Sequence, residues 1–387
     1  MEKLLVEGDP ASADNKIIVT AQYESAQTLR HVQRVLTQFA IADDLQFELD
    51  SSCGFQRIKT TILGYDLIRI SLLDMSEVQR HFPHHEANPY FLAFEAVKAR
   101  HNVASWLAYL LPDLRSAMSW SSGRAFIDEF IRFAADLKAE LTSASLKNQV
   151  ANFVRLSNKN YLSLLSYIDA LFTKHSKLVV IRLDLGYAKQ LSGFNRNGPV
   201  LNYDQVKNHR SKFFRSLGRF LKEKISKDCL VGFAWKLEFG ERKSWHYHTL
   251  IILNGQEVRE DVTIARLIGE HWLNTTGQMG VYHNCNASKG RYRRLGIGLI
   301  DHANADLREG LTKAAAYMVK TDYYVRMVAP GNGRTFGRGV MRGTAGKRAG
   351  RPRKTTHEPA PLTYEAYVRS LMLRNGHEGA CPVKATY

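Results

Sequence analysis

The apolar positions of this chain fall into two regimes. Up to about residue 165 they recur mostly at helical spacing. Leu29, Val32, Val35, Leu36 and Phe39 share a face and predict a helix over Ser25–Phe39. Tyr90–Arg100 reads as another. Ser121 or Ser122 can cap a long helix from Arg124 to Leu141, and Leu146–Thr173 continues the pattern. Gln46–Glu48 and Lys59–Leu63 are candidate short strands. After His175 the period changes to two. Lys177–Leu185 alternates, with Leu178, Val180 and Arg182 against Val179, Ile181 and Leu183. Tyr203–Lys224 is a basic helix, Leu230–Phe239 a strand, Gly240-Glu241-Arg242-Lys243 a hairpin turn and Ser244–Leu253 the partner strand. Asp261–Thr275 is then a helix and Gly280–Cys285 a short strand. Asn286 to Ala303 reads as a loop, and Asp306–Tyr324 as a helix.

This β-α-β-β-α-β order predicts an α+β protein whose second domain is a ferredoxin-like, split βαβ antiparallel sheet. Helices cover one face of such a sheet and leave the other free for a site. The expected division is a mostly helical N-terminal domain of unassigned role (1–165), a catalytic domain (166–330) and a basic C-terminal segment (331–387). Within that last segment, Gly333–Lys354 holds eight Lys or Arg and no acid, and reads as a flexible basic arm. Pro361–Met372 reads as a final helix.

Composition narrows the partner. The 387 residues carry a formal charge of +17, which points to a polyanion, nucleic acid before an anionic membrane surface. No apolar run approaches the ~18–20 residues that span a bilayer, and Met1-Glu2-Lys3-Leu4 opens no signal-peptide core, so a cytoplasmic protein is expected. Cys53, Cys229, Cys285 and Cys381 form no C-x-x-C pair and read as reduced thiols.

The chemistry gathers late in the chain. His246 and His248 stand two apart on a strand, so both imidazoles face one way and Tyr247 the other. With 14 histidines in 387 residues, chance alone supplies about 0.5 such pairs, so the pair needs support. Glu238 supplies it from the preceding strand, because the hairpin folds it back beside the histidines. Two imidazoles and a carboxylate suit a divalent ion such as Mg²⁺ or Mn²⁺. The competing reading pairs Glu238 with Lys236 or Arg242. His81, His84, His85 and Glu86 surround Pro83 and read better as an exposed turn than as a metal site. Downstream, Tyr317 and Lys320 share a helix face at i and i+3. A phenol is a poor nucleophile near its ordinary pKa of about 10, and an ammonium beside it stabilises the phenolate or the transferring phosphoryl group. Basic residues outline a DNA path: Lys207, Arg210, Lys212, Arg215 and Arg219 on one helix, and Lys289, Arg291, Arg293 and Arg294 with Tyr292 in the later loop.

Taken in order, Ile181-Arg182-Leu183-Asp184, Trp235-Lys236-Leu237-Glu238, His246-Tyr247-His248, Tyr317-Met318-Val319-Lys320-Thr321-Asp322 and Arg334-Thr335-Phe336-Gly337-Arg338 resemble the HUH endonuclease superfamily. More narrowly, the chain is similar to inovirus-type replication initiation proteins and to prophage proteins of the YagK/YfjJ type, over roughly residues 165–355. The resemblance implies a replication initiation endonuclease. Tyr317 would nick single-stranded origin DNA, keep the 5′ side as a phosphotyrosine and release a 3′-OH for a host polymerase. His246, His248 and Glu238 would bind the ion, and Lys320 would assist the attack. Arg182 and Asp184 fall on a family motif, as DNA contact and as support behind the metal ligands, or as an internal ion pair. Some relatives carry a second tyrosine four residues on; here that position is Thr321, and Tyr324 stands seven on, roughly 10 Å along a helix. Duplex origin DNA or a host helicase is a further candidate partner for the N-terminal half, with no residue-level argument for either. Two other classes remain: a DNA-binding regulator without catalysis, and a small-nucleotide phosphoesterase, which lacks a second histidine motif and has no use for so high a charge.

Overall fold

The computed structural model describes residues 21–43, 45–50, 57–103, 120–188, 201–240, 244–292, 294–319 and 325–341. The protein mixes helices with antiparallel sheets, an α+β arrangement, and its chain divides into two compact units.

The first unit takes residues 1–155, 239–241 and 321–332. It holds α1 (Ala21–Ile41), β1 (Phe47–Asp50), β2 (Arg57–Thr60), α2 (Ile62–Ser71), α3 (Met75–Arg80), β3 (His85–Ala87), α4 (Pro89–Arg100), α5 (Trp120–Thr142) and the start of α6 (Ala144–Lys174). Leu29, Val32, Val35, Leu36 and Phe39 of α1 are all buried, as their spacing requires, and pack with Phe91 and Phe94 of α4 and Phe130 and Phe133 of α5. The expected strand Lys59–Leu63 is cut short. The Thr61 hydroxyl accepts from the Gly64 N–H at 3.1 Å and caps α2, so Ile62 and Leu63 are helical. Asn88 caps α4 in the same way, with Pro89 in the first turn. A late segment joins this unit: β9 (Val325–Met327) pairs antiparallel with β3, Ala87 opposite Val325.

The second unit carries the site. Its strands are β4 (Lys177–Tyr187), β5 (Leu230–Gly240), β6 (Ser244–Asn254), β7 (Gly280–Asn284), β8 (Gly298–Asp301) and β10 (Phe336–Arg338). They form one sheet in the order β10-β5-β6-β4-β7, with β8 pairing the first half of β4 and β7 the second. The expected bounds of β4 to β7 and of the helices α7 (Tyr203–Lys224) and α8 (Asp261–Thr275) are met within two residues. The helix expected over Asp306–Tyr324 is present as α9, Ala305–Val319, and residues 320–324 lie outside the described residues. Two expectations are corrected. The loop Asn286–Ala303 contains a 3₁₀ turn, Cys285–Arg291, and the strand β8. The basic arm is ordered at its start, where Phe336–Arg338 pair with β5 and Arg338 lies over the Tyr167 ring at 4.9 Å. The rest of that arm from residue 342, and the helix expected over Pro361–Met372, lie outside the described residues.

Helices α7 and α8 cover one face of the sheet. Tyr247 donates to the Val206 carbonyl at 3.2 Å, and the Trp272 indole donates to the Gly186 carbonyl at 3.1 Å. Phe213 meets Trp272 edge-on, with centroids 5.5 Å apart. Among the described residues no helix is long and apolar enough to cross a membrane.

Candidate metal and nucleophile site

Strand register decides what the open face presents. Asp184 of β4 stands opposite His248 of β6, and Leu185 opposite Tyr247. Opposed residues on antiparallel strands point to the same side. Arg182, Asp184, His246 and His248 therefore share one face, while Leu183, Leu185 and Tyr247 face the helices. Glu238 joins the histidines from β5, which lies next to β6.

Each imidazole is oriented by what its Nδ1 does. His248 Nδ1–H donates to Asp184 Oδ1 at 2.6 Å. His246 Nδ1–H donates to the Ser244 carbonyl at 3.0 Å. Ser244 holds φ at +51°, a left-handed conformation uncommon for serine, at the start of β6. With both Nδ1 atoms engaged, both Nε2 lone pairs are presented on the other side of the rings. Glu238 Oε2 lies 3.2 Å from His248 Nε2 and 3.7 Å from His246 Nε2. The three ligand atoms lie within 4.8 Å of one another, the one such group among the described residues. His84, His85 and Glu86 form none, and Glu86 is ion-paired with Arg326.

The cluster is strongly coupled. Burial alone would lower His248, but the carboxylates of Asp184 and Glu238 outweigh it and push the imidazole up to about 10. Burial alone would raise the Glu238 carboxyl, but the facing imidazoles of His248 and His246 hold it well below the usual carboxylate range. A cation at the three ligand atoms would take the place of the proton on His248.

The nucleophile candidate lies on the same side of the sheet. Tyr317, in the last turns of α9, packs its ring against Arg182, with the guanidinium 5.3 Å from the ring centre. Arg182 Nε is in turn 3.9 Å from Asp184 Oδ1. Tyr317, Arg182, Asp184 and His248 thus form a continuous row. Glycine sets the seating of α9. A Cβ on Gly310 would stand 1.9 Å from the Leu295 carbonyl oxygen, and one on Gly296 would stand 2.1 Å from the Gly310 carbonyl carbon. Only two glycines let these backbones meet, two helical turns before Tyr317.

Of the other residues singled out above, Arg291 and Arg294 are exposed. Lys320, Tyr324 and Arg293 lie outside the described residues. Lys289 is held by buried Asp261 at 2.8 Å. Asp261 also accepts from Asn286, whose amide bridges to Val180 and Arg182 of β4. This network pins the 3₁₀ turn to the sheet. The basic helix α7 lies on the Tyr247 side, away from the histidines.

Two residues were not placed on the open face by the sequence reading. Lys236, read only as a competing ion-pair partner of Glu238, shares the face of Glu238 by alternation and is fully buried. His283 of β7 stands opposite Asp184 and is exposed. The strand period signalled the first; the second needed the register of β7.

Residues 142–339 match the YagK/YfjJ C-terminal domain, half of the chain. The chain belongs to that family. The YagK/YfjJ domain here contains the whole sheet, the histidine pair with Glu238, and Tyr317. No curated protein and no solved structure matches the chain.

Proposed function

We propose that the protein is a metal-dependent DNA-nicking and strand-transferring enzyme of the HUH type, which starts rolling-circle replication through Tyr317. The observation that carries this reading is a single face: two oriented Nε2 atoms converge on Glu238, with Tyr317 seated on Arg182 beside them. The strand order β7-β4-β6-β5, with helices after β4 and β6, supports a ferredoxin-like split βαβ domain as its frame.

His246, His248 and Glu238 would hold the ion, and their mixed nitrogen and oxygen donors suit Mn²⁺ or Mg²⁺. When bound, such an ion supplies Lewis acidity at the scissile phosphate. Tyr317 Oη attacks phosphorus in single-stranded DNA. The Oη–P bond forms as the P–O3′ bond breaks, the phenolic proton departs, and the leaving oxygen takes up a proton as the 3′-OH. The 5′ side stays on Tyr317 as a phosphotyrosine, and attack by a returning 3′-OH rejoins the strand and frees the tyrosine. Arg182 balances charge on the phenolate and the phosphoryl group, and Lys320 is the second cation proposed for this step.

One observation favours a second reading, a DNA-binding regulator without catalysis. Without a metal ion, Asp184, His248 and Glu238 already satisfy one another as a buried ion-pair cluster. Incubation with circular single-stranded origin DNA and Mn²⁺ or Mg²⁺ separates the two. The enzyme reading expects a covalent adduct that chelator abolishes and that Tyr317→Phe loses while binding is retained. An undiminished adduct in Tyr317→Phe, or no cleavage with either ion, sinks it.

A further inference from the structure

The helix α7 carries a charge pattern that the open-face chemistry does not use. Tyr203, Val206, Phe213, Leu217 and Leu221 are buried against the sheet and α8. On the opposite side of the helix, Lys212, Arg215, Arg219 and Lys222 follow at steps of three, four and three residues. All four are exposed, and among the described residues none is in an ion pair. Like charges at such spacing cost the helix a few tenths of a kcal/mol each, about 0.2–0.5. Lys222 is repaid by the helix C-terminus, but Lys212 and Arg215 sit mid-helix, where that help is absent. The neighbouring α8 neutralises its own outward charge, with Arg266 2.7 Å from Glu270.

We propose that this stripe is a second DNA surface, on the opposite side of the sheet from the histidines, and that it grips the phosphate backbone of duplex DNA. Three observations choose the partner. The four cations span ten residue steps, about 15 Å of helix, a length along which a duplex presents about nine phosphates. A single strand would want open aromatic platforms. Here Phe214 stacks on Phe233 at 4.5 Å, Phe220 stacks on His271 at 4.3 Å, and Phe213 is buried. An anionic membrane would want apolar side chains to insert, and α7 exposes no large one. The surface is independent of the nicking reaction. Where both operate, one protein holds duplex on one side while it handles a single strand on the other.

The test measures binding of the full chain to a labelled 30-base-pair duplex between 50 and 200 mM salt. It compares the wild type with K212Q/R215Q/R219Q/K222Q. Glutamine keeps helix propensity close to that of Lys and Arg. Removal of four phosphate contacts is expected to flatten the log–log salt slope by about 3–4 and to weaken binding on the order of 10²–10³-fold at 0.1 M salt. A control removes as many exposed cations elsewhere: Lys59, Lys147, Arg155 and Lys159, each to Gln. Should the quadruple variant not fold by circular dichroism, R215Q/R219Q is expected to lose half of the slope. An unchanged slope, an equal loss in the control, or variant-sensitive binding to phosphatidylserine vesicles but not to duplex would each overturn the proposal.

Discussion

The guanidinium of Arg182 lies 5.3 Å from the centre of the Tyr317 ring, and this contact joins the helix of the proposed nucleophile to the strand behind the histidines. A cation over a neutral phenol contributes about 0.5–2 kcal/mol, and it contributes more as the phenol ionises. Arg182→Gln is therefore expected to slow adduct formation by about 10–100-fold, equivalent to about 1.4–2.7 kcal/mol of barrier. Mn²⁺ affinity should move only a few-fold. Single-turnover kinetics beside a metal titration check the pair; a rate within twofold of wild type denies Arg182 this role.

Asp184 acts through His248. Asp184→Asn keeps the size of the side chain but weakens the 2.6 Å bond that orients the imidazole. Loss of such a partner typically costs 10–100-fold in metal affinity, and about that is expected here for Mn²⁺ by calorimetry. A second variant, Asp184→Glu, should recover part of it.

The cluster also sets the response of the metal-free protein to pH. His248 is raised from an ordinary 6.5 to about 10, so its contribution to stability is fully present below about 6.5 and is lost as pH rises through about 10. Glu238 is depressed, so its contribution is present above its ordinary 4.5 and is lost as pH falls through its folded value. Urea unfolding in chelator should show stability declining from pH 7 to pH 10. His248→Gln should remove that alkaline decline, and its persistence in the variant would place the cause elsewhere.

Two glycine-to-alanine changes in helices should act in opposite directions. Gly310→Ala gains helix propensity of about 1 kcal/mol, but its Cβ meets the Leu295 carbonyl oxygen at 1.9 Å. The collision is with backbone and is expected to win, for a net loss of about 1–3 kcal/mol and a matching fall in adduct yield. Gly218→Ala on α7 meets nothing nearer than Leu230 Cδ2 at 3.7 Å and should stabilise by about 0.5–1 kcal/mol. Thermal unfolding of the two variants reads both signs.

Much of this architecture was legible before any coordinates. The long, strongly periodic segments from β4 to β7 carry their own signal, and the open face follows from strand alternation around the Gly240 turn. What escaped was short and paired at long range. β8 and β10 have four and three residues and exist because β4 and β5 offer edges to them. Within the site, Glu238, His246 and His248 were readable from one hairpin. The hydrogen bond from His248 to Asp184 was not, since it rests on a register between residues 64 apart in sequence. The ion pair of Lys289 with Asp261 was not legible either, because nothing local reveals that Asp261 is buried beneath it.

The pairing of β9 with β3 bears on how the chain is made. Val325 and Met327, buried in the first unit, follow α9, whereas their partners His85–Ala87 belong to the earliest part of the chain. A ribosome delivers the helices of the first unit early, but not the strand that completes its small sheet. That unit therefore closes only after Tyr317 has emerged, and the second sheet takes its outer strand β10 later still. A fragment cut at residue 142, where the family match begins, would keep β9 and discard the strand it was meant to join.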